Sequence, residues 1–168
     1  MADAVPGSFT APLFDVHSLT IAPNGSALYA SQGMGGAFVE LDRDPQTGQL
    51  APQKPEPFVG SPTGAGGSFY DTISVSPDSS SVYSTQQEAR GLWHSTTALG
   101  TARPEHMYRN GFEGVTGMQA PDQVAVSPSG GCVVVNQNGP DASTVWFKRA
   151  GDGSLAFVAS ADLGQSPI

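Results

Sequence analysis

Residues 73–84, ISVSPDSSSVYS, decide the fold. Ile73 and Val75 alternate with serines, as on a strand with one buried face. Ser76-Pro77-Asp78 follows. The Pro presets φ for a tight turn, and the Asp accepts the backbone beyond it. Val82 and Tyr83 then open a second strand. The phrase recurs as LTIAPNGSALYA from Leu19 and as VAVSPSGGCVVV from Val124.

The turn prolines Pro23, Pro77 and Pro128 stand 54 and 51 residues apart. Six residues before each lies a polar residue: His17, Asp71 or Asp122. Two before each lies a β-branched residue: Ile21, Val75 or Val126. Six after each comes the centre of the second strand, at Tyr29, Tyr83 and Val134. A third strand fits 37–42, 91–96 and 143–149, where aromatic and β-branched residues dominate. Gly48 and Gly153 both fall 25 residues after their proline, marking a second hairpin, with short fourth strands near 49–52 and 154–159. The middle copy has Gly100 within TTALGTARPEHMYR but no Asp-Gly turn.

Four antiparallel strands repeated every ~40–50 residues describe a β-propeller blade. The expected fold is all-β: one partial propeller domain with three four-stranded antiparallel blades, near 17–60, 71–110 and 122–160. SFTAPLF (8–14) reads as the outer strand of a preceding blade. Three blades cannot close a ring of roughly four to eight. The expectation is an incomplete ring or an open blade stack. Its edges would invite a homo-oligomer, unless the chain is a fragment of a larger propeller.

Composition agrees. Among 168 residues, 21 are Gly and 14 Pro, while only 13% are charged, which suits short strands joined by many turns. The net charge of −8 and seven scattered Lys and Arg exclude a nucleic-acid partner. Cys132 is the single cysteine, so no intrachain disulfide forms, and GCVVVN reads as a half-buried strand. No stretch reaches membrane-spanning length, and MADAVPGSFTAPLF lacks a basic leader region. The compartment is cytoplasmic by default, or extracellular if the chain belongs to a longer secreted protein.

ISVSPDSSSVY, VAVSPSGGCVVV and VELDRDPQTGQLA resemble the repeat of the lactonase-like, or YVTN-type, β-propellers. The resemblance extends over residues 17–159. It implies a ring of usually seven blades. Known members are six-phosphogluconolactonase-type hydrolases and carboxymuconate-cyclase-like proteins, beside many bacterial repeat proteins without established activity. Members that hydrolyse lactones are thought to use His, Arg and Glu on one propeller face. The resemblance therefore points to His17, Glu88 and Arg90: His or Glu to activate water, Arg to hold the developing oxyanion.

In a propeller the inner strand of each blade starts on the same rim as the loop joining strands two and three. That groups His17, Asp71 and Asp122 with Gln32, Gln86, Asn136 and Asn138 as a polar ligand-binding rim. The bland alternative is that Asp and His there bond turn backbone. A metal site needs convergence that equivalent positions on successive blades do not guarantee, so neither metal nor cofactor is expected. RPEHMYR (103–109) reads as a solvated outer edge. DRDPQTG reads as a hairpin turn, since it lacks the spaced acidic ligands of a calcium loop. NGS at Asn24 is a glycosylation sequon by pattern alone. No nucleophile elbow, phosphate loop or zinc-type cysteine pair is present. Two functions remain: a non-catalytic module binding a small polar ligand or a protein, or a lactonase-like hydrolase.

Overall fold

Each turn proline closes a hairpin in the same way. The amide two residues beyond it bonds the carbonyl one residue before it: Gly25 to Ala22, Ser79 to Ser76, and Gly130 to Ser127. All three closing residues have positive φ, +76°, +58° and +73°. Glycine takes that conformation freely, and Ser79 takes it at a cost. Asn24 and Asp78 each accept a backbone amide two residues on, at Ser26 and Ser80.

The computed structural model describes residues 16–32, 37–52, 58–60, 70–87, 89–97, 102–138 and 143–162. The expected strand at 8–14 and the turn near Gly100 lie outside them. The described residues form strands and turns, with no helix among them. The first sheet joins β1 (Val16–Ile21), β2 (Ala27–Gln32) and β3 (Ala37–Arg43), with β4 (Leu50–Pro52) and β5 (Phe58–Gly60) both paired to β3. Those last two pair with opposite ends of β3 and together make an interrupted outer strand. The second sheet is β6 (Tyr70–Val75), β7 (Ser81–Gln86), β8 (Gly91–Thr96) and β9 (Arg103–Arg109), in that order. The third is β10 (Pro121–Val126), β11 (Cys132–Gln137), β12 (Ser143–Arg149) and β13 (Leu155–Asp162). All neighbours are antiparallel.

The sheets stack face to face, and two apolar layers lie between them. Tyr29 and Ala27 of the first sheet meet Ile73 and Val82 of the second. Tyr83, Leu92 and Tyr108 of the second meet Val124, Val133, Val135, Val145 and Phe147 of the third. Every residue of β7 is buried, because neighbours cover both faces of the middle blade. In β11 burial alternates, because one face of the third blade has no neighbour among the described residues. Cys132 is half-buried on that open face.

The connector at 110–120 has no strand but is firmly held. Met118 and Val115 are buried in the second apolar layer. The Gln137 amide accepts from the Gln119 and Ala120 backbone and donates to the Gly117 carbonyl.

Candidate functional site

The inner strands β1, β6 and β10 share one irregularity. Each pairs regularly with its second strand, then shifts register near its start. The shifts fall between Val16 and Ser18, between Tyr70 and Ile73, and between Pro121 and Gln123. His17, Asp71 and Asp122 therefore sit in β-bulges, where a residue leaves the backbone ladder. Opposite each bulge ends a second strand in glutamine: Gln32, Gln86 or Gln137.

The bulges also join blades. The Asp122 carbonyl accepts from the Thr72 and Thr85 hydroxyls, at 3.0 and 2.9 Å. Thr72 Oγ1 in turn accepts from the Val124 amide at 2.8 Å, and Ser74 Oγ accepts from the Val126 amide at 3.2 Å. Strands β6 and β10 thus run side by side with their starts together, linked through hydroxyls rather than a backbone ladder.

His17 is exposed at the start of β1. Asp71 lies in β6 and Gln32 ends β2, but their side chains, and all of Glu88, lie outside the described residues. Arg90 is exposed with φ +51° and donates to Gln119 Oε1 at 3.3 Å. Asn136 accepts from Thr144 Oγ1 at 2.8 Å, and the Asn138 amide donates to the Ala120 carbonyl. Gln86 is fully buried, its Oε1 accepting from Trp93 Nε1 at 2.7 Å.

One feature of this region has no local sequence cue. Ser31 Oγ, Ser84 Oγ and Gln86 Nε2 are buried and have no hydrogen-bond partner among the described residues. Ser84 and Gln86 follow Val82 at two-residue steps, and Ser31 follows Tyr29 likewise, so all three continue the facing surfaces of the first and second blades toward the bulges. An orphaned buried polar atom costs ~1–3 kcal/mol, and three in one interface call for a physical reason.

Away from the bulges, Arg149 crosses from the third blade to the second. Its guanidinium reaches Asp78, Ser80, Ser81 and the Tyr83 hydroxyl. Tyr83 donates onward to the Gly153 carbonyl at 2.6 Å. Burial opposes the Asp78 charge, but hydrogen bonds from Ser76, Ser80 and Arg149 outweigh it and hold the carboxyl far below its ordinary range. Burial likewise lowers the His94 pKa; this imidazole stacks on Tyr83 and bonds Ser81 Oγ at 3.2 Å. Beside this network an open groove of about 530 Å³ is lined by His94, Glu105, His106, Glu113, Asp152 and Leu155.

RPEHMYR occupies the outer strand β9, and Arg103, Pro104 and Glu105 are exposed. Arg109 is exposed too, and the solvated-edge reading fails at Tyr108. Tyr108 is buried in the second apolar layer, and its oxygen accepts the Leu155 amide at 2.7 Å. Among the described residues no group of three His, Cys, Asp or Glu side chains is arranged to hold a metal ion. No helix of the described residues is long and apolar enough to cross a membrane.

No protein-family model matches the chain, and no curated protein does. Solved structures do. The periplasmic gluconolactonase PpgL of Pseudomonas aeruginosa superposes with a TM-score of 0.70 at 23% identity, over 88% of this chain and 41% of its own. A candidate 6-phosphogluconolactonase of Bacteroides uniformis gives 0.72 at 15% identity, over 90% and 42%. The WD40 repeats of RRP9 give 0.61 at 11%, over 89% and 39%. The fold is that of a partial β-propeller. This propeller chain spans about two fifths of the length of each of those structures. This architecture is shared by lactonase-like and WD40 propellers, which differ widely in function.

Proposed function

We propose that this propeller unit is a non-catalytic binding module for a small, hydroxyl-bearing polar ligand, received at the bulged rim between the first and second blades. The observation that carries the reading is the trio of orphaned buried atoms, Ser31 Oγ, Ser84 Oγ and Gln86 Nε2. Gln86 Nε2 offers a donor, and each serine offers both a donor and an acceptor. A polyol or sugar acid presents the complementary groups. The reading is supported by the bulges at His17, Asp71 and Asp122, which lie at the same end of the inner strands.

Titration calorimetry with gluconate and glucono-δ-lactone tests this. Saturable binding is expected, weakened about tenfold by Ser84→Ala, the equivalent of ~1.4 kcal/mol. The same substitution removes an orphaned hydroxyl, so the ligand-free protein should become no less stable. Absence of saturation with both probes, or binding indifferent to Ser84→Ala, overturns the reading.

A second reading, lactone hydrolysis, draws support from the likeness to PpgL. There His17 or Glu88 would take a proton from water, whose oxygen attacks the lactone carbonyl. Arg90 would hold the oxyanion until the ring C–O bond breaks and the freed alkoxide is protonated. Turnover of glucono-δ-lactone above the spontaneous rate, abolished by His17→Ala or Arg90→Ala, would favour this reading over simple binding.

A further inference from the structure

The two interfaces among the described residues are built to one plan, and the outer faces of the first and third blades each carry one half of that plan. The residues four and two places before the turn proline face the preceding blade. In the second blade these are Ile73 and Val75, packed in the first apolar layer. In the third they are Val124 and Val126, packed in the second layer. Ile73 is 6% exposed and Val124 9%, yet their counterpart Leu19 in the first blade is 63% exposed, and Ile21 is 51%.

The polar part of the plan repeats as well. Arg149 holds the Gly130 carbonyl of its own turn and reaches back to Asp78 on the turn of the preceding blade. Arg43 is its counterpart in the first blade. It holds the Gly25 carbonyl in the same way, and its backbone amide bonds Ser26 as that of Arg149 bonds Gly131. Turn tips also meet across the first interface, where the Asn24 amide donates to Ser79 Oγ.

The complementary half lies on the far face of the third blade. Tyr29 and Tyr83, six residues after their prolines, face the following blade and fill the two apolar layers. Their counterpart Val134 stands on the open face, paired across the ladder with Trp146, and both are half-buried. Ser129 occupies the turn position that Asp78 holds in the second blade, and it offers a hydroxyl acceptor.

We infer that a second copy of this chain seats the Val134–Trp146 face of its third blade on the Leu19–Ile21 face of the first, with Arg43 reaching the partner turn at Ser129. Because the contact joins two different surfaces, a pair of copies can make it twice and close. Six blades then form one ring, within the roughly four-to-eight range that propellers adopt. Closure covers the Leu19–Ile21 and Val134–Trp146 faces. This pairing is independent of any ligand at the rim.

Light scattering behind a sizing column tests it with the chain as it is. The expected result is one species of twice 17.3 kDa over the micromolar range. Leu19→Asp places a charge at a site already exposed within the chain, so the fold survives while the pair weakens at least tenfold. Ile21→Asp and Val134→Asp should do the same from the two sides. A monomer at every concentration overturns the pairing. So does a dimer that all three variants leave intact, or a mass that climbs without a plateau.

Discussion

Arg149 Nη2 lies 3.2 and 3.0 Å from the two carboxylate oxygens of Asp78, a residue 71 positions earlier in the chain. The Arg149 side chain is 4% exposed and that of Asp78 50%. The pair therefore works at the boundary of the interface, with the cation inside and the anion half in water. Arg149→Ala would leave the Tyr83 hydroxyl, Ser81 and the Gly130 carbonyl without this donor. The expected cost is ~2 kcal/mol, below the ~3–5 of a fully buried broken pair because water still reaches Asp78. Urea unfolding of Arg149→Ala, Asp78→Ala and the double variant measures the coupling, and a value near zero would refute the assignment.

Acid should act in two stages. His94 has a folded pKa below its ordinary value, through burial first and the nearby Arg149 charge as a lesser lowering influence. The unfolded chain takes up that proton first, so stability falls as pH drops below about 6.5 and levels off below the folded pKa. Asp78 is depressed in the folded state, so its contribution is complete above an unfolded pKa of about 4 and is lost as pH falls further. Stability measured against pH should lose the upper stage in His94→Gln and the lower stage in Asp78→Asn.

Gly153 and Gly114 give a matched comparison. Both have positive φ, +88° and +76°, which costs an alanine ~1–2 kcal/mol. Around Gly114 nothing lies within 4 Å of an added Cβ, whereas at Gly153 that atom would collide with Ser81 and His94. Gly153→Ala should cost ~2–4 kcal/mol once overpacking is added, and Gly114→Ala only ~1. Equal shifts in Tm would show that the second hairpin is not wedged against the middle blade.

Glu40 is buried between the first and second blades, accepting from the Tyr29 hydroxyl at 3.1 Å and from the Ala102 amide at 2.6 Å. Glu40→Ala removes the acceptor that the Tyr29 hydroxyl and the Ala102 amide share and should cost ~1–3 kcal/mol, whereas Glu40→Gln keeps one acceptor oxygen and should cost less. Chemical denaturation of the two variants ranks them, and a reversed order would refute the geometry.

Local chemistry made the repeat legible. Strand alternation at Ile73/Val75 and Val124/Val126 marked the inner strands. The third strands begin at Ala37, Gly91 and Ser143, where the aromatic runs predicted them. Gly48 and Gly153, placed by spacing alone, both close turns with positive φ. The outer strand of the first blade was less legible: it is split into β4 and β5, and only the first piece stood out. In RPEHMYR the charged residues hid Tyr108, whose burial follows from its pairing with Leu92 across the ladder.

The site was harder to read for the same reason. Gln86 was grouped with the rim by position, but no local pattern shows that its amide nitrogen is buried without a partner, or that Ser31 and Ser84 share that state. A cue for the inter-blade cation did exist, because Arg43 and Arg149 both stand just before the second hairpin turn. The sequence alone determined the strands, the turns and the threefold repeat, since these rest on alternation and on φ preferences a few residues apart. Tertiary structure alone decided which face of each blade is covered and where Arg149, Glu40 and Gln86 find or lack partners. Those contacts join groups far apart in the chain, and their energy depends on burial, which exists only once the blades have stacked.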